Sequence, residues 1–125
     1  MRVSVGDKTG EIELCGTSSE LAGLAERLLS GEGSVALATE GDPSPYSRFL
    51  SSLRFVPEAA PVVIRWIVES DSLEIRGGGA HLELFASNLK DFAEEAAPSD
   101  HTHVEYCDRG YLAEESEALV VTFCD

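Results

Sequence analysis

One stretch, HLELFASNLKDFAEEAA (81–97), constrains the fold of this chain more than any other. Leu82, Phe85, Ala86, Leu89, Phe92, Ala93 and Ala96 recur at helical spacing, and Glu83, Lys90, Asp91, Glu94 and Glu95 fall on the opposite face. A helix with a single apolar stripe must bury it against another element. The flanks show what that element is. SLEIRGGG (72–79) alternates like a strand and runs into three glycines. HTHVEY (101–106) follows Pro98-Ser99-Asp100 and places His101, His103 and Glu105 on one face of an extended segment, with Thr102, Val104 and Tyr106 on the other. The unit therefore reads strand, helix, strand.

The first half follows the same plan. RVSVG (2–6) and EIELC (11–15) read as a hairpin around Asp7-Lys8-Thr9-Gly10. Thr17 or Ser18 caps a helix, and Glu20 stands three residues after Thr17, as a capping box requires. Leu21, Leu24, Ala25, Leu28 and Leu29 form its apolar face as far as about Ser30, and Gly31 is placed to end it. SVALAT (34–39) and LRFV (53–56) read as strands around a loop broken by Pro43 and Pro45. PVVIRWIVES (61–70) is rich in β-branched residues and apolar on both faces over Val62 to Ile64, which predicts a central strand. ALVVTFC (118–124) closes the chain.

Shifting the first half by 61 residues sets Glu13-Leu14 on Glu74-Ile75, Gly16 on Gly77, and Leu21, Leu24, Ala25 and Leu28 on Leu82, Phe85, Ala86 and Leu89. The expected fold is α+β: one domain (1–125) with a two-layer, mostly antiparallel sheet covered by two helices. It is built from two pseudo-symmetric ββαββ units, 1–60 and 61–125. Tandem units of this topology also build the domains of replication sliding clamps, a topological likeness only.

Charge excludes some partners. Nine basic residues against 23 acidic ones give a net charge of −14, of which residues 61–125 hold −10. Such a field repels nucleic acid and anionic membranes and attracts basic proteins. No apolar run approaches the roughly 20 residues of a membrane helix, and the first residues lack the apolar core of an export signal. Cys15, Cys107 and Cys124 fit no zinc spacing, and free thiols in a reducing cytoplasm are expected, with Cys15 and Cys124 as small core residues.

Several constellations could carry chemistry. His101 and His103 stand about 6 to 7 Å apart along one strand face and could hold a metal with Glu105 or His81 as a third ligand. That would make a small metal-binding or hydrolytic enzyme; the bland alternative is a half-exposed sheet face. Cys107 has no base fixed nearby, so no catalytic thiol is assigned. Gly77-Gly78-Gly79 lacks a phosphate-loop signature, and a tight strand-to-helix turn explains it. No carboxylate pair stands out as general acid and base, so no catalytic residue and no cofactor are assigned.

The acidic segment after the histidines is the best candidate for a contact surface. Glu105, Asp108, Glu114, Glu115 and Glu117 surround Tyr106 and Tyr111 against a lone Arg109. Carboxylates steer a basic partner in, and tyrosines supply contact area. The other reading is a solvated loop whose Tyr111 and Leu112 pack on the core edge. Tyr46, Arg48 and Phe49 occupy the matching loop of the first half, and Trp66 reads as core. A module that oligomerises through open strand edges is a third possibility.

Residues 72–124 also resemble a known family. LEIRGG, the helix LELFASNLKDFAEEA, HTHVEY and then YLAEESEALVVTF are similar to bacterial immunity-protein family thirty-two of polymorphic-toxin systems. In that pattern a strand-helix unit leads to an H-x-H strand, then a short loop with a serine, then an apolar strand. These would be His101, His103, Ser116 and Leu119 to Val121. The first half has Val35-Ala36-Leu37 where histidines would stand. The resemblance implies a small cytoplasmic antitoxin that binds and blocks a cognate toxin and catalyses no reaction.

Overall fold

The computed structural model describes residues 1–108 and 110–124. The chain begins with β1 (Arg2–Val5) and β2 (Ile12–Gly16), an antiparallel hairpin that pairs Val5 with Ile12 and Arg2 with Cys15. Gly10 closes its turn at φ +74°, a conformation that costs glycine little. Helix α1 (Ser18–Leu29) opens on the capping box read from the sequence: Thr17 accepts from the Glu20 backbone, and Glu20 accepts from the Thr17 backbone. Then come β3 (Gly33–Ala36), β4 (Arg48–Phe49), β5 (Ser52–Pro57), β6 (Val63–Ile67), β7 (Ser72–Gly77), helix α2 (Gly79–Glu95), β8 (His101–Val104) and β9 (Leu119–Phe123). Two helices and two mostly antiparallel sheets, among the described residues, make an α+β fold.

The strands divide between two sheets rather than lying in one. The first has the order β4-β1-β2-β9-β8 and the second β3-β5-β7-β6. In each, strands from before residue 61 meet strands from after it at a parallel junction, β2 with β9 and β5 with β7. The helices are the reason. Helix α1 carries the chain from the first sheet to the second, and α2 carries it back. They pack on one another, α1 burying Leu21, Leu24, Ala25 and Leu28 and α2 burying Phe85, Ala86, Leu89 and Ala93. The Ser18 hydroxyl donates to the Ala93 carbonyl at 2.6 Å, tying the start of α1 to the end of α2. Leu29, expected in the apolar stripe, is 56% exposed, because it falls at the stripe's margin one position past Leu28.

Two further expectations are corrected, the placement of 61–70 and the state of two cysteines. The stretch 61–70 gives an edge strand, β6, and the interior strands of its sheet are β5 and β7, the latter buried at five of its six positions. The glycine triplet makes the expected tight strand-to-helix turn, with Gly77 at φ +155° and Gly79 at φ +57°, and close approach adds to the demand: a Cβ on Gly77 would lie 2.9 Å from Val62 Cα, and one on Gly78 would lie 2.7 Å from the Glu58 carbonyl oxygen. Cys15 and Cys124 form a disulfide, not two free thiols. The parallel β2–β9 pairing brings residues 109 apart in sequence to a Cα separation of 5.7 Å, inside the usual range for a bridge. Cys107 is free and exposed.

Candidate functional site

The acidic segment is organised by what it does to β6. In β6 and just before it, Val62, Ile64 and Trp66 turn their backbone N–H groups away from β7. Each finds an acceptor on the returning chain. Val62 N–H donates to the Tyr111 carbonyl at 2.9 Å, Ile64 N–H to the Ser116 hydroxyl at 2.8 Å, and Trp66 N–H to the Glu117 carboxylate at 2.6 Å. In return, Ala113 N–H donates to the Val62 carbonyl at 2.8 Å and Glu117 N–H to the Ile64 carbonyl at 2.9 Å. Residues 111–117 are thus a strap along the open edge of the second sheet. A buried or half-buried edge left without such partners is costly. This also explains why 61–70 is apolar on both faces although it is an edge: the strap covers what a neighbouring strand would.

The strap separates the candidate residues into two groups. Tyr111 and Glu117 are half-buried and structural. The Tyr111 ring stacks on Phe85 with centroids 5.2 Å apart, and burial pushes its phenol pKa above the ordinary tyrosine value. Glu105, Tyr106, Asp108, Glu114 and Glu115 are exposed. Tyr106 is 44% exposed and its hydroxyl donates to Asp108 at 3.4 Å. Arg109 lies outside the described residues. Before the strap and within it, then, an exposed aromatic and four carboxylates face solvent on a backbone whose anchor points are fixed.

The histidines lie elsewhere. Helix α2 ends at Glu95, and a bulge leads into β8: Ser99, at φ +77°, donates its N–H to the Phe123 carbonyl, while Phe123 N–H donates to the Asp100 carbonyl. His101 and His103 are exposed on this outermost strand, their rings edge to face with centroids 5.4 Å apart. Among the described residues no three His, Cys, Asp or Glu side chains converge on a point that would hold a metal ion. Glu105 lies beyond the end of β8.

Two features escaped the sequence reading, the role of Ser116 and Glu117 and the gathering of cations around Glu74. Ser116 and Glu117 act through backbone hydrogen bonds to a segment some 50 residues earlier, 52 and 51 positions in sequence, which leaves no local trace. The outer face of the second sheet gathers cations: Arg54 and Arg65 flank Glu74 in register, and Arg76 Nε and Nη2 each lie 3.0 Å from Glu74 Oε1. Strand alternation through 53–56, 61–70 and 73–75 was the available signal. In the first half Arg48 is engaged, 3.0 Å from Asp71, 3.6 Å from Asp7 and stacked over Trp66.

No helix is long and apolar enough to cross a membrane, among the described residues. No curated protein and no solved structure matches the chain. Residues 72–124, β7 through β9 and just under half of the chain, match the model of the family described as Immunity protein 32, and this similarity points to an immunity-protein role.

Proposed function

We propose that this chain is an immunity protein that binds a cognate toxin in a fixed ratio and occludes it, without catalysing a reaction and without a cofactor. The observation that carries the reading is the family match over residues 72–124, which takes in β8, the strap and the acidic residues around it. We read the toxin as basic, a nuclease domain being one such partner. The net charge of −14 supports this, since it steers basic proteins in and disfavours nucleic acid as a direct ligand. Glu105, Tyr106, Asp108, Glu114 and Glu115 form the contact surface, and Tyr111 and Glu117 hold it in place from the inside. The carboxylates compete for the surface with which such a toxin would grip phosphate.

We also read the chain as a single domain of two pseudo-symmetric ββαββ units. The correspondence of the pairings supports this: β1–β2 with β6–β7, β3–β5 with β8–β9, and the two parallel junctions with one another. We place the protein in the cytoplasm, as the family resemblance implies, a compartment whose reductants work against the Cys15–Cys124 disulfide. Alkylation of intact cells tests the placement: trapped thiols at both positions support it, and a quantitative disulfide contradicts it.

Co-expression with the product of the adjacent gene, the proposed toxin, tests the function. The reading expects growth to be rescued and the two proteins to co-purify at a constant ratio. Failure of both would remove it. Alanine changes at Asp108, Glu114 and Glu115 that left binding unchanged would move the contact away from this segment.

A further inference from the structure

The four outer edges of the two sheets are not treated alike. The β6 edge is strapped by residues 111–117. The β4 edge is only two residues long. On β3 the Arg27 guanidinium donates to the outward Ser34 carbonyl at 3.2 Å. The β8 edge is different. Its phase is set by the bulge at Ser99 and Asp100, which pairs Asp100 with Phe123. Two and four residues on, Thr102 and Val104 stand opposite Val121 and Leu119 as the hydrogen-bonded partners. His101 and His103 therefore turn their N–H and C=O groups outward, and among the described residues nothing pairs with them. Natural sheets seldom leave a regular edge uncovered unless something is meant to add to it.

We propose that the open edge of β8 captures an extended, lysine- or arginine-bearing segment of the toxin as a sixth strand of the first sheet. The inference rests on the immunity reading and specifies how the partner is held. Strand addition takes its affinity from main-chain hydrogen bonds and its selectivity from alternate side chains. The chemistry around β8 selects a basic strand: from Asp91 to Asp108 the sequence has six carboxylates and no lysine or arginine. Glu11 and Glu105 also line a groove of about 440 Å³ with His103, Ile12 and Val120, on the face of the sheet beside β8. A second copy of the chain fits the edge poorly, because it would set one −14 molecule against another.

The test compares His103→Pro with His103→Ala, using the purified toxin domain of the adjacent gene as the probe. Proline removes one outward N–H and blocks strand addition, yet spares the bonds to β9, so an edge strand can hold it. Alanine removes only the imidazole. The proposal expects His103→Ala to bind within about threefold of the parent and His103→Pro to lose at least about tenfold, the worth of roughly one or two net hydrogen bonds. Amide hydrogen exchange on the unaltered complex gives a second readout that does not depend on the variant folding, with slowed exchange expected at His101 and His103. Equal binding by His103→Pro, or unprotected His101 and His103 amides in the complex, would overturn strand addition and leave the immunity reading standing. An unaltered chain that fails to bind the toxin would remove both. A chain that dimerises alone with these amides protected would assign the edge to a second copy.

Discussion

At the scale of single residues, the acidic segment mixes two jobs that look identical in the sequence. Glu115 and Glu117 stand two positions apart, yet one is exposed and the other accepts the Trp66 N–H at 2.6 Å. A hydrogen bond from a backbone N–H to a carboxylate is stronger than one between neutral groups. We expect Glu117→Ala to cost roughly 1.5–3 kcal/mol and Ser116→Ala roughly 1 kcal/mol, while Glu115→Ala stays within about 0.5 kcal/mol. Denaturant unfolding of the three variants checks the order, and equal effects would mean the strap is not holding β6. Tyr111 gives a pH signature. Its pKa is raised in the fold, first by burial, so its contribution is fully present below the ordinary tyrosine value and is lost as pH rises through the folded value. The melting temperature should therefore fall from about pH 10 upward, and Tyr111→Phe should flatten that fall; the same slope in both proteins would assign it to other groups.

At the scale of elements, what was legible depended on local signals. The Thr17–Glu20 box, the stripe Phe85, Ala86, Leu89 and Ala93, and the alternation of 2–6 and 11–15 each specify an element within a few residues, and each is present. What was missed depends on distant partners. The apolar faces of 61–70 suggested a central strand, because a strap 50 residues away leaves the same apolar pattern as a neighbouring strand. The candidate contact residues were legible as a cluster, but not which of them are consumed by β6. The disulfide was hidden in the same way, since only the parallel β2–β9 pairing brings Cys15 to Cys124. A bridge closing a loop of that length stabilises by about 4 to 5 kcal/mol in the chain-entropy picture. Reduction, or Cys124→Ser, should lower the melting temperature markedly without altering the far-ultraviolet spectrum. No change in melting temperature would mean that the tie between β2 and β9 adds nothing.

At the scale of the whole molecule, charge is sorted by surface. Arg54, Arg65 and Arg76 gather on the outer face of the second sheet around Glu74, while the run from Asp91 to Asp108 is acidic throughout. A net charge read from composition averages over this difference. If the acidic face steers the toxin, association should slow steeply as salt is raised, with dissociation changing less. Replacing Asp108, Glu114 and Glu115 together by alanine should slow association at low salt and weaken its salt dependence. An association rate indifferent to salt would remove the electrostatic part of the account. The most direct test of its centre is a titration of toxin activity, adding the purified chain stepwise to a fixed amount of the proposed cognate toxin. Stoichiometric occlusion predicts a linear fall to no activity at a constant molar ratio. Full activity in the presence of a large excess of the chain would contradict it.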